Sequence, residues 1–252
     1  MKILIKLSYL GEGFCGYQVQ NGKRSIQGEL TRAAGELFSY DCDITGCSRT
    51  DSGVHANMFC ATVSRRGEAF LDTRLTPDRI IKALNAHLPE DICVYSAEWV
   101  EDSFHPRYDV QFKEYVYRMY NGDSRIPFES GRSLILKKKF TPEQIENMKL
   151  AAKSFVGKRD YSAFMAQGSQ VASTVRDVKY AEGYEVGDVI EFKVAADGFL
   201  YNMVRIMAGT LIAVAEGKIS PDEINDIIAS ADRSRAGQTA PACGLYLNKV
   251  VY

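Results

Sequence analysis

An acid, a base and two hydroxyls lie close to one glycine in residues 49–56, RTDSGVHA. An apolar run at residues 58–63 follows, and polar loops beside rigid strands often carry binding or catalytic groups. In extended backbone Arg49 and Asp51 share one face, where the guanidinium favours the ionised carboxylate. Such a carboxylate can act as a nucleophile or a base. The alternative is a structural Arg–Asp pair that closes a surface turn.

Two further groups of residues could contribute to a site. Tyr115 and Tyr117 alternate along an apolar stretch, which places both rings on one strand face. They could stack on a nucleobase, or pack against a neighbouring strand. Arg205 lies in an otherwise apolar helix start, where an unpaired charge would be costly. Asp51 is its natural partner, unless the side chain reaches solvent along its own methylenes.

Two motifs suggest other functions. Gly11, Gly13 and Gly16 have the G-x-G-x-x-G spacing of dinucleotide-binding loops, but residues 17–22 end in an Asn-Gly turn where that motif needs a helix. A nucleotide site is therefore not favoured. Asp51-Ser52-Gly53 resembles the D-S-G of aspartic proteases, which use two such aspartates. The chain has one, so a protease would have to be a symmetric dimer.

Composition limits the partners and the compartment. The chain has 252 residues, 46% of them hydrophobic, and a formal net charge of −1, so any nucleic-acid binding must use local basic clusters such as residues 137–139. No apolar run reaches transmembrane length. The six cysteines form no C-x-x-C pair and no export signal precedes them, which predicts reduced cytosolic thiols. The spacing of Cys42, Cys47, His55 and Cys60 matches no compact zinc site.

Hydrophobic periodicity predicts a mixed α/β protein. Strands are expected at residues 3–9, 58–63, 92–95, 110–120, 189–194 and from 244, and helices at 26–37, 76–88, 141–155, 203–214 and from 220. This order predicts two similar α/β (α+β) halves, each with a mixed or antiparallel sheet covered by helices. A change in composition near residue 104 suggests an N-terminal domain at 1–104 and a C-terminal domain at 105–252.

Several motifs, in order along the chain, resemble the TruA-like tRNA pseudouridine synthases. They are YLGEGFCGYQVQ at 9–20, RTDSGVHA at 49–56, LNAHLP at 84–89, FHPR at 104–107, KEYVY at 113–117, GFLYNMVR at 198–205 and APACGLYL at 240–247. The resemblance covers nearly the whole chain. Leu10, Ser48 and Ser52 depart from the family pattern.

The resemblance implies a cofactor-free and metal-free isomerase. Its reaction turns uridine into pseudouridine in the anticodon stem–loop of tRNA, nominally at positions 38, 39 and 40. Asp51, Tyr115 and Arg205 are implied as catalytic residues, with Arg205 paired to Asp51 and Tyr115 stacked on a base flipped out of the RNA. The implied substrate-binding residues are Arg49, Thr50, His55, Tyr115, Arg205 and Leu245.

The resemblance also implies an architecture and partners. The two halves would form one extended sheet with a central cleft, in a cytoplasmic homodimer that binds tRNA and no membrane. Two alternatives remain open at this point. The protein could be a paralogue that acts on another uridine or another RNA, or an RNA-binding module without catalysis.

Overall fold

A computed structural model of the chain describes residues 1–168 and 171–252. Its contacts divide the chain into two compact units. Unit 1 comprises Met1–Gln111 and Tyr246–Tyr252, and unit 2 comprises Phe112–Leu245. The two domains expected at 1–104 and 105–252 stay a prediction.

The strands and helices are as follows. The strands are β1 (Lys2–Tyr9), β2 (Cys42–Gly46), β3 (His55–Arg65), β4 (Ile92–Val100), β5 (Phe112–Tyr120), β6 (Leu134–Ile135), β7 (Gly157–Asp160), β8 (Val175–Val186), β9 (Val189–Ala196) and β10 (Leu245–Val251). The helices are α1 (Ile26–Phe38), α2 (Pro77–His87), α3 (Pro142–Lys153), α4 (Met203–Ala215) and α5 (Ile224–Ser230).

Unit 1 has a mixed sheet. Strand β1 runs antiparallel to both β3 and β4, and β2 runs antiparallel to β3. Strand β10 is parallel to β3, with Tyr246 opposite His55. The alternating apolar residues that predict β1 are completely buried at Ile3, Ile5 and Leu7. Helix α1 packs against β2 and α2 against β4, so helices cover this sheet.

Unit 2 also has a mixed sheet with helices packed on it. Strands β5, β9, β8 and β7 pair in that order as antiparallel neighbours, and the short β6 pairs in parallel with β5. Helix α3 begins with a capping box of Thr141 and Gln144, and it contacts β8 and α4. Helix α4 contacts β5. The predicted α/β class is confirmed, because each unit combines a mixed sheet with covering helices.

The described ranges contain no helix with both the length and the apolar character that crossing a membrane requires.

Candidate active site

Asp51 lies on a tight turn between two strands of unit 1. Residues 47–54 join β2 to β3, and the Val54 amide donates to the Asp51 carbonyl oxygen at 3.2 Å. Asp51 is half-buried, whereas Arg49 is exposed and Thr50 is buried. The turn therefore carries a half-buried aspartate whose backbone is held in place, which suits a nucleophile or a base.

Four hydrogen bonds tie this turn and the first residue of β3 to the end of β1 and the loop that follows it. The Tyr9 hydroxyl lies 2.8 Å from the Thr50 hydroxyl, with both groups buried. The Tyr17 amide donates to the Thr50 carbonyl oxygen at 3.1 Å. The Ser52 hydroxyl donates to the Phe14 carbonyl oxygen at 3.1 Å, and the Gly11 amide donates to Nδ1 of His55 at 3.0 Å. Bonds on both sides of Asp51 fix the position of its backbone.

Two glycines of the G-x-G-x-x-G pattern, Gly11 and Gly16, serve this contact and not a nucleotide. A Cβ atom on Gly11 would lie 2.1 Å from the Val54 carbonyl oxygen, and one on Gly16 would lie 2.7 Å from the Thr50 carbonyl oxygen. Gly16 also has a φ of +87°. Helix α1 begins only at Ile26, so no helix starts directly after Gly16 to receive a pyrophosphate.

His55 is a buried support of the turn. Its side chain is 1% exposed, and Nδ1 accepts the Gly11 amide proton, so this nitrogen carries no proton of its own. The imidazole stacks on the Tyr246 ring, with 4.6 Å between centroids and 19° between planes. The stack holds the start of β10 beside β3. Leu245, the residue before Tyr246, is buried as well.

In unit 2 the two tyrosines of β5 have different surroundings. Tyr117 is completely buried, its hydroxyl donates to the Pro241 carbonyl oxygen at 2.8 Å, and burial raises its pKa far above the usual range. Tyr117 therefore serves packing. Tyr115 is 7% exposed, and its ring meets Phe199 edge-on at a centroid distance of 5.0 Å.

Arg205 is held at the start of α4 by two groups of unit 2. Its Nε donates to the Ala240 carbonyl oxygen at 2.8 Å, and its Nη1 donates to Oδ1 of Asn202 at 2.8 Å. The Ala240 amide in turn donates to the Arg205 carbonyl oxygen at 3.0 Å. These bonds fix the plane of a half-buried guanidinium. Sequence patterns did not single out Asn202, although its φ of 60° marks a special position.

Sequence reasoning also missed the supporting roles of Tyr9, Phe14 and Tyr17. The available signal was the glycine spacing itself, because glycine marks a close approach of two backbones. Within the described residues, no group of three or more His, Cys, Asp or Glu side chains is arranged to hold a metal ion.

Comparison with known proteins decides the family. A family model described as tRNA pseudouridine synthase matches residues 6–109 and 151–252. The chain belongs to the tRNA pseudouridine synthase family. The matched ranges of this synthase family contain the Asp51 turn, Arg205 and Leu245, while Tyr115 lies between them.

Three relatives in this synthase family are similar along their whole length. The tRNA pseudouridine synthase A of Ruminiclostridium cellulolyticum is 40% identical over 253 residues, covering 100% of this chain and 99% of the relative. That of Thermoanaerobacter sp. is 40% identical over 250 residues, covering 99% of each. The Bacillus subtilis protein of the same name is 39% identical over 257 residues, covering 100% and 99%. A solved structure titled as a Cbf5-Nop10-Gar1 complex aligns with 97% of this chain and 57% of the matched chain, at 13% identity and a low TM-score of 0.35.

Proposed function

We propose that this protein isomerises uridine to pseudouridine in tRNA. The supporting observation is the identity of 39–40% over the whole chain with proteins named tRNA pseudouridine synthase A. The reaction breaks the bond between ribose C1′ and uracil N1, turns the base, and forms a bond from C1′ to C5. The proton on C5 is released and N1 gains one, so no oxidant or reductant is consumed and no cofactor is needed.

In this proposal Asp51, Tyr115 and Arg205 are the catalytic residues. The Asp51 carboxylate attacks the substrate or removes a proton from it. The hydrogen bonds that hold its turn support this role, because catalysis requires a group held in productive geometry. Tyr115 stacks on the flipped base and Arg205 supplies a fixed positive charge. The substrate positions in the anticodon stem–loop stay a prediction.

The other proposed binding residues fall into two groups. Arg49 is exposed and suits direct contact with the RNA backbone. Thr50 and His55 are buried and bonded to Tyr9 and Gly11, so we propose that they contribute to binding by shaping the turn. Leu245 is proposed to contact the base with its apolar side chain.

We also propose that the protein acts in the cytoplasm as a homodimer. All six cysteines are free thiols, which suits a reducing compartment. Sedimentation at several protein concentrations measures the mass, and a monomer at every active concentration would contradict the dimer.

The first experiment measures tritium release from tRNA labelled at C5 of uridine. Wild type should release tritium. The rate of release by Asp51→Asn should be lower by more than about 10³-fold, because the carboxylate acts in the reaction. Its tRNA affinity should stay within about threefold, since phosphate contacts dominate binding. Asp78→Asn, an exposed change on α2, is the matched control and should keep the rate.

Two results would contradict this proposal. Normal release by Asp51→Asn would show that another group performs the reaction. Tight binding of tRNA by wild type, with no release from any tRNA, would indicate an RNA-binding module without catalysis.

A further inference from the structure

Residues 122–139, named here the basic segment, form a long connection in unit 2 between β5 and α3. Their regular structure is one 3₁₀ turn at Pro127–Glu129 and the two-residue strand β6. Connections of this length with so little regular structure are usually functional or disordered. The segment lies between the two ranges matched by the family model, 6–109 and 151–252.

Specific bonds hold the basic segment in place. The Asn121 side chain closes its base: Oδ1 accepts the Phe140 amide at 2.7 Å and Nδ2 donates to the Phe140 carbonyl oxygen at 3.2 Å. The Tyr120 hydroxyl donates to the Ser124 carbonyl oxygen at 2.8 Å. Arg118 of β5 pairs with Glu129 at 3.3 Å. A long connection tied down at its base and its turn is typical of a presented binding loop.

This segment exposes a large aromatic ring. Phe128 is 80% exposed, the highest value among the large apolar side chains of the described residues. It lies on the short turn that the Glu129–Arg118 ion pair holds against β5. Ile135, on β6, is 42% exposed. Single exposed apolar side chains are common on protein surfaces, so the charge of the segment that carries Phe128 matters more than the ring alone.

The segment that carries Phe128 is strongly basic. The segment contains five Lys or Arg and two Asp or Glu, a formal charge of +3, while the whole chain has −1. Both acidic residues are engaged, Glu129 with Arg118 at 3.3 Å and Asp123 with Lys139 at 2.6 Å. Arg125, Lys137 and Lys138 are exposed. The most exposed ring of the described residues therefore lies on a segment with a net positive charge.

We propose that the basic segment contacts the tRNA substrate, with Phe128 stacked on an unpaired base and Arg125, Lys137 and Lys138 on phosphates. The inference rests on the proposed function. Exposed rings among cations fit single-stranded nucleic acid, since every base offers a face for stacking and every phosphate a negative charge. A protein interface fits less well, because lysine is depleted there.

A substitution series at Phe128 tests stacking. Binding of a fluorescently labelled tRNA transcript is measured for wild type, Phe128→Ala, Phe128→Leu and Phe128→Tyr. Ala and Leu should both weaken affinity by about 5- to 150-fold, whereas Tyr should stay within about twofold because it keeps the ring. Val186→Ala, a change at an exposed apolar side chain elsewhere in unit 2, should leave affinity unchanged.

A second series tests the phosphate contacts. Lys137→Gln/Lys138→Gln should reduce the slope of log affinity against log salt by about 1 to 2, which corresponds to two lost contacts. Lys82→Gln/Lys153→Gln removes two exposed lysines from α2 and α3 and should change the slope by less than about 0.5.

Three results would overturn the inference. The first is that Phe128→Ala binds tRNA as tightly as wild type, and the second is that Phe128→Leu does so. The third is an altered sedimentation mass for Phe128→Ala, which would make the segment a protein interface.

Tritium release separates these failures from failure of the proposed function. If wild type releases tritium while the segment variants bind normally, only the inference is wrong. If wild type neither binds nor converts any tRNA, the proposed function and the inference both fall.

Discussion

A Cβ atom on Gly16 would lie 2.7 Å from the carbonyl oxygen of Thr50, next to Asp51, and the backbone there has a φ of +87°. Gly16→Ala should therefore lower the free energy of unfolding by about 2 to 3 kcal/mol, combining left-handed strain with a clash against backbone. Turnover should fall more than about tenfold, because relief of the clash moves the Asp51 turn.

Gly22→Ala is the matched control. Gly22 has a φ of +70° and a Cβ there would meet nothing within 4 Å, so only the strain of about 1 to 2 kcal/mol applies. Its turnover should equal that of wild type. Urea denaturation and tritium release measure both variants, and equal losses in the two would show that the contact with Thr50 is unimportant.

Local patterns predicted Asp51 as a candidate but not what supports it. The Tyr9–Thr50 and Gly11–His55 bonds join residues that are 41 and 44 positions apart. Propensity and periodicity describe neighbours within a few residues, so they carry no information on such pairs. The residues alone therefore left a nucleophile and a structural ion pair as open alternatives, and the family motifs were needed to favour the first.

Asn202 positions Arg205, and this role can be separated from its backbone role. Asn202→Gly suits the φ of 60° but removes the acceptor of the Arg205 Nη1–H bond, so we expect stability within about 1 kcal/mol of wild type. Turnover should fall about 10- to 150-fold, the equivalent of one charge-assisted hydrogen bond. Asn202→Asp keeps an acceptor and should restore most turnover in the tritium assay. Full activity of Asn202→Gly would argue against this positioning role.

The helices were predicted better than the strands. Caps mark helix starts in the sequence, as Ser25 does for α1 and Thr141 for α3. Strand β8 was missed because its register shifts between Val178 and Tyr180, which interrupts the alternation with period two. Strand β2 was missed because it is five residues long, with only Cys42 and Ile44 buried.

The buried thiols of β2 and β3 predict a loss of stability in alkali. Burial raises the pKa of Cys60 to about 12 and that of Cys42 to about 11, from an ordinary value of 9.0. A raised folded-state pKa means that the folded protein holds the proton more tightly. The stabilisation is therefore complete below pH 9 and is lost as the pH rises from about 9 towards 12, at up to about 1.4 kcal/mol per pH unit for each thiol.

Urea denaturation at pH 8 and pH 10 checks this effect. Between these pH values Cys60→Ala should lose about 1 kcal/mol less stability than wild type, because it has no thiol to ionise on unfolding. Cys93→Ala removes an exposed thiol and should show the wild-type loss. Identical pH dependence in all three proteins would contradict the assignment to Cys60.

At the scale of the whole chain, the basic residues differ in what they can bind. Arg24 pairs with Asp91 at 2.9 Å, and Arg66 pairs with Asp41 at 2.7 Å. Arg65 lies over the Tyr40 ring at 5.3 Å. Lys137 and Lys138 are exposed within the basic segment. A count of charges cannot distinguish these cases, because ion pairing and stacking depend on tertiary contacts.

This difference predicts how tRNA binding responds to salt. Although the formal net charge is −1, log affinity should fall with log salt with a slope steeper than about −3, because several phosphates meet local cations. Arg65→Gln/Arg66→Gln should reduce that slope by less than about 0.5, whereas Lys137→Gln/Lys138→Gln should reduce it by about 1 to 2. Fluorescence anisotropy at four salt concentrations measures all three proteins. A wild-type slope near zero would mean that binding does not depend on local cations. Equal reductions of the slope in the two double variants would mean that intramolecular pairing does not determine which cations contact the RNA.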